Sequence, residues 1–128
     1  MGYLPGRGDC ILIPFNEVKH LFFVLNSPCK DGLCLLTMLT SRKANRFSDD
    51  ACLFLGGEHG FIKHSSYVVY SLANFSKASH IANMVDKGLY QVVDPATPEV
   101  LARVIAGLFE SDETKQAMVN YARSVGLQ

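Results

Sequence analysis

The sequence predicts a mainly β fold with C-terminal helices: a small β-barrel followed by two or three short α-helices. Five or six short apolar runs, each bounded by turn residues, occupy residues 7–92. Helical spacing of apolar residues becomes clear only after Thr97. So many short strands in so short a stretch favour a barrel, because closing a sheet on itself removes its exposed edges.

The first strand is Cys10-Ile-Leu-Ile-Pro14, opened by the Gly8-Asp9 turn and closed by proline. Asp9 is a turn residue there, its side chain placed to accept from nearby backbone amides. Residues His20 to Leu25 form an unbroken apolar run between Lys19 and Asn26-Ser27-Pro28, which suits a central strand buried on both faces. After the Lys30-Asp31-Gly32 turn, Leu33 to Leu39 is the third strand. Thr40 to Asp50 is polar and too irregular for an amphipathic helix, so it reads as a long loop. Ala51 to Leu55 and Ser66 to Ser71 are the next strands, separated by a turn over Gly56 to Gly60. Ser79 to Val85 reads as a short helix or a further strand, and Leu89 to Val93 as a strand. Thr97 caps a helix, with Pro98 at its first position and Glu99 at the positive end of its dipole. Ser111 is read as the cap of the last helix, with Asp112 and Glu113 in its first turn and Gly126 as its stop.

The linker-like residues 94–98 are too few to divide domains. The expectation is a single domain over 1–128, with a barrel core over 7–92 and a helical extension over 97–125. The hydrophobic share of 48% argues against disorder. Lys and Arg balance Asp and Glu at 12 each, so contact with a polyanion must be local. The sequence has no signal pattern and no apolar run long enough to span a bilayer, which points to a cytoplasmic location without a membrane partner. Of the four cysteines, three lie in or beside strand-like runs, where a thiol acts as a small hydrophobe. Cys29 and Cys34 lack a second Cys/His pair at ligand spacing, so no metal and no other cofactor is expected. Phosphate loops, nucleophile elbows and the His-Glu-x-x-His motif are absent.

Four segments stand in a telling order: Gly8-Asp9-Cys-Ile-Leu-Ile, His20-Leu-Phe-Phe-Val-Leu25, Leu36-Thr-Met-Leu-Thr40-Ser41 and Ile62-Lys-His-Ser-Ser-Tyr-Val68. Over residues 7–82 this resembles the MazF/PemK-like toxin family. The resemblance implies an SH3-like barrel with added helices, usually a homodimer. It also implies an endoribonuclease that cleaves single-stranded RNA and is held inactive by an antitoxin protein. In that family an Arg at the head of the second strand and a Thr or Ser after the third support cleavage. Thr40 and Ser41 match the latter, while His20 stands at the Arg position.

Cleaving RNA without metal needs a base for the 2′-hydroxyl, an acid for the leaving oxygen, and positive charge for the phosphorane. His20, Thr40 and His64 are the candidate catalytic residues. Ser41, Arg42, Lys43, Arg46, His59, Lys63 and Ser65 are the candidate substrate contacts, since they supply hydroxyls and cations in two polar loops. Tyr67 and Tyr70 point to opposite faces of one strand, so one belongs to the core and the other offers a stacking surface. His80 has no companion motif and reads as structural. Each group also has a plainer reading: His20 as a polar strand end, residues 42–46 as a solvated loop, residues 58–66 as an ordinary polar hairpin loop. The sequence alone therefore leaves an alternative open. The barrel is then a catalytically inactive module that binds nucleic acid or protein, or else a subunit docked through its helices.

Overall fold

A computed structural model describes residues 2–127. In chain order the elements are β1 (Cys10–Phe15), β2 (Val18–Val24), β3 (Leu33–Ser41), β4 (Leu53–Phe54), β5 (Ser66–Lys77), α1 (Ala78–Asp86), β6 (Gln91–Val93), α2 (Pro98–Glu110) and α3 (Gln116–Ser124). The six strands form one antiparallel sheet in the order β4-β5-β3-β2-β1-β6, curled into a half-barrel. The mainly β class with following helices is the one the sequence predicts. The curl stops short of a closed hydrogen-bonded ring: among the described residues no ladder joins β4 to β6.

Four boundaries differ from the sequence reading, each for a local reason. Asn16 and Glu17 both adopt positive φ, at 50° and 67°. That makes a two-residue hairpin turn whose twist suits the flanking strands. Pairing therefore starts at Val18, and His20 is the third residue of β2, opposite Ile13, rather than the first. The fourth strand shrinks to Leu53–Phe54 because Asp49 turns the chain, accepting a bond from the Ala51 amide at 3.0 Å. The last helix begins at Gln116, and Ser111 is the C-cap of α2 instead. The Ser111 hydroxyl donates to Asp49 and accepts from the Glu113 amide. It thus ties the long loop to the end of α2.

The fourth difference shapes the whole sheet. The strand β5 runs to Lys77, well past Ser71. Its register with β3 jumps between Leu36↔Asn74 and Met38↔Val69, so β5 carries three residues more than its partner at that point. An odd insertion inverts the alternation of faces. Val68, Tyr70 and Ala73 consequently all join one buried cluster. Such a bulge also bends its strand and increases twist.

Both sheet faces are covered. On one, Leu21, Phe23, Leu35, Leu39, Val68 and Tyr70 pack against α2 and α3 through Val104, Leu108, Met118 and Ala122. On the other, Ile11, Ile13, Val24, Cys34 and Leu36 pack against Ala78 and Ile81 of α1. The α2 helix starts as its sequence predicts, with Thr97 Oγ1 accepting from the Val100 amide and Pro98 in the first turn. The fully buried Tyr70 donates its hydroxyl to the Val104 carbonyl at 2.6 Å. The helix approaches this closely because Gly107 has no side chain: a Cβ there would overlap Tyr70 Oη. Among the described residues no helix is long and apolar enough to cross a membrane.

Two substitutions test this packing by urea titration. In an open helix interior Gly→Ala stabilises by about 1 kcal/mol. Gly107→Ala is expected to do the reverse and destabilise by about 1–3 kcal/mol, because the added methyl has no room. Glu17→Gly is expected to stabilise by about 1 kcal/mol, since it removes a side chain from the left-handed region of an exposed turn.

Candidate functional site

The site arises where two neighbouring strands part. The β2–β3 ladder extends only to Phe22↔Met38, whereas β3 stays paired with β5 as far as Ser41↔Ser66. The Leu35 carbonyl faces β2, accepting from the Leu25 amide at 2.9 Å. By strand alternation the Leu39 carbonyl faces the same way, but the ladder has ended. His20 supplies the missing donor, with Nδ1 3.3 Å from the Leu39 oxygen. A carbonyl can only accept, so Nδ1 carries a proton, which in the neutral imidazole leaves the lone pair on Nε2. The ring of Phe15 stands edge-on to the imidazole, 6.0 Å between centroids.

The divergence leaves a cavity of about 440 Å³. Val18, Lys19, His20 and Leu21 form one wall, and Leu39, Thr40 and Ser41 the other. Lys43 follows from the long loop, Phe61, Lys63 and His64 come from the β4–β5 loop, and Ser66 closes the floor. The lining holds three lysines, two histidines and three hydroxyls, and no carboxylate. In a chain of zero net charge this is a pronounced local excess of positive charge.

Three fastenings place the β4–β5 loop at the cavity. Glu58 pairs with Arg103 of α2 and accepts from the Leu55 amide at 2.6 Å. That amide bond, then the guanidinium, holds its carboxyl below the usual carboxylate range. His59 Nε2 reaches the Asp94 carbonyl beyond β6 at 2.6 Å, and its Nδ1 accepts from the Phe61 amide at 3.1 Å. Ile62 is buried in the core, fixing the loop from inside.

Of the residues predicted from sequence, His20, Thr40, Ser41, Lys43, Lys63 and His64 line this one cavity. Arg42, Arg46, His59 and Ser65 do not. The Arg42 amide donates to the Ser65 carbonyl at 2.8 Å, prolonging the strand pairing, and Arg46 is exposed in the loop beyond. His59 has both ring nitrogens engaged with backbone, so it fastens the loop instead of facing the cavity. Sequence reasoning missed Lys19 and Phe61, and it placed Ser66 in the Lys63–Ser66 cluster without naming it a contact. Lys19 and Ser66 adjoin residues it did select, but the role of Phe61 depends on a turn whose shape has no sequence signature. Tyr70 is the core member of the tyrosine pair, and Tyr67 lies opposite Thr40, partly buried.

Burial pushes the thiols of Cys10, Cys34 and Cys52 up, to about 12, 11 and 11. Cys29 is partly exposed, and hydrogen bonding from the Tyr121 hydroxyl lowers its thiol below the ordinary range. Among the described residues no three His, Cys, Asp or Glu side chains converge as metal ligands would. Iodoacetamide on the native protein is expected to modify Cys29 quickly and the other three only on unfolding. Peptide mapping by mass spectrometry checks this.

The curled antiparallel sheet and the helices that follow it are consistent with a MazF-like fold. A solved structure of similar fold is a MazE–MazF complex from Deinococcus radiodurans, which superposes with a TM-score of 0.57 at 18% identity, covering 84% of this chain and 94% of that one. No family model and no curated protein matches the sequence. At such identity the likeness speaks to the fold.

Proposed function

We propose that this chain is a toxin-like endoribonuclease that cleaves single-stranded RNA without a metal ion, at the cavity between β2 and β3. The observation that carries the reading is a carboxylate-free, lysine-lined hollow holding an imidazole whose tautomer is set by the Leu39 carbonyl. His20 Nε2 takes the proton from a ribose 2′-hydroxyl, and O2′ attacks the adjacent phosphorus. His64 gives a proton to the departing 5′-oxygen. The products are a 2′,3′-cyclic phosphate and a 5′-hydroxyl. Lys19, Lys43 and Lys63 offset the charge that grows on the phosphorane, and the hydroxyls of Thr40 and Ser41 donate to its non-bridging oxygens. The Leu39 carbonyl orients the His20 ring and stabilises the imidazolium formed when it accepts the proton.

The family resemblance in the sequence supports this chemistry, as does the order of segments that build the cavity. The neighbour's pairing of MazF with MazE supports an antitoxin protein as partner, and the family pattern supports a homodimer. The imidazole at the family's Arg position favours one alternative: a barrel that binds RNA but does not cleave it.

Incubation with a long, unstructured RNA decides between them. Cleavage is expected in the wild type, with His20→Ala and His64→Ala each slower by about 100-fold or more while circular dichroism stays unchanged. A 2′-deoxy sugar at the cut site should stop cleavage. RNA bound but uncut by the wild type supports the binding module, and equal cleavage by both variants removes the proposed roles.

A further inference from the structure

We propose that Phe61 is a base-stacking residue and that His59 is the positioning residue that holds it out for a nucleotide base. This rests on the reading of the neighbouring cavity as a phosphate site. Phe61 lies on the cavity rim with 46% of its surface exposed, next to Lys63 and His64. A lone exposed phenylalanine would need no explanation. Here the backbone on both sides of the ring is fastened. Its own amide donates to His59 Nδ1, and the following Ile62 amide donates to the His59 carbonyl at 2.9 Å. Ile62 fills the core with 1% exposure, which anchors the turn from inside while the adjoining Phe61 ring stays out in solvent. The imidazole is itself moored to the Asp94 carbonyl and lies 6.4 Å from the Phe61 ring, tilted by 42°.

A phosphate in the cavity brings the next base of its strand to this ring. In a duplex both faces of that base are covered by neighbours, so only a single strand presents one. Phenylalanine has no hydrogen-bonding group, so its stacking tolerates any base. The substrate class that fits is therefore unpaired nucleic acid, gripped through phosphate by the lysines and through a base by Phe61.

Fluorescence anisotropy with two labelled single-stranded DNA probes of equal length, one of mixed sequence and one abasic, tests this. Neither carries a 2′-hydroxyl, so neither is cut. The wild type is expected to bind the base-bearing strand about tenfold more tightly. Phe61→Ala should lose that preference while holding the abasic strand as before, and Phe61→Trp should keep it. His59→Ala should weaken the preference, and His59→Gln, which can still donate to Asp94, should restore it. A preference unchanged in Phe61→Ala overturns the stacking role, as does a wild type that binds both strands alike, and either result leaves the phosphate site standing. A wild type that binds neither strand overturns the phosphate site and the stacking role together.

Discussion

The three extra residues in β5 are the constraint on which the rest of the structure depends. Without them β5 would lie flat along β3, and Ala73 would point away from the cluster that holds Val68 and Tyr70. With them the strand bends, both halves present apolar side chains to the same side, and the sheet curls into a trough. A trough lined by Phe23, Leu35, Leu39 and Tyr70 has to be filled, and α2 fills it. The contact of Gly107 with Tyr70 sets how deeply the helix sits. Arg103, on the same helix, reaches Glu58 and the Leu53 carbonyl, with its guanidinium 4.5 Å from the centre of the Phe54 ring. The curl of the sheet, the depth of the helix and the placement of the β4–β5 loop are thus linked.

The cavity is a by-product of the same geometry. β3 stays with β5 to its end but cannot also follow β2, so the two part at Leu39. Strand separation normally leaves a carbonyl without a donor, and a buried polar group so left is costly. An imidazole resolves this while leaving its second nitrogen unbonded, which a lysine or arginine could not do with a lone pair. The backbone defect and the candidate base are one feature.

Net charge conceals how the ionic groups are distributed. The cationic mouth contains no carboxylate, while a separate hollow between the long loop and the end of α2 gathers Asp49, Asp50, Glu110, Asp112 and Glu113 without a lysine or arginine. Equal totals of acid and base therefore do not argue against a polyanion site. Electrostatic attraction depends on charges within about a Debye length, near 10 Å.

Much was legible in the chain itself. Apolar runs between turn residues located the strands, and Thr97-Pro98-Glu99 located the start of α2, because capping and periodicity are local effects written in neighbouring residues. The types of residue needed at an anion site were legible too, in His20, Thr40-Ser41, Lys43 and Lys63-His64. The tertiary structure alone decided which of them meet. Arg42 and His59 have chemistry as suitable as Lys43 and His64, yet one prolongs a strand through its amide and the other is consumed in fastening a loop. Nor could the sequence show that the break in alternation after Tyr70 is a bulge and not a strand end. Both look the same in one chain, and only the register of a partner strand distant in sequence distinguishes them.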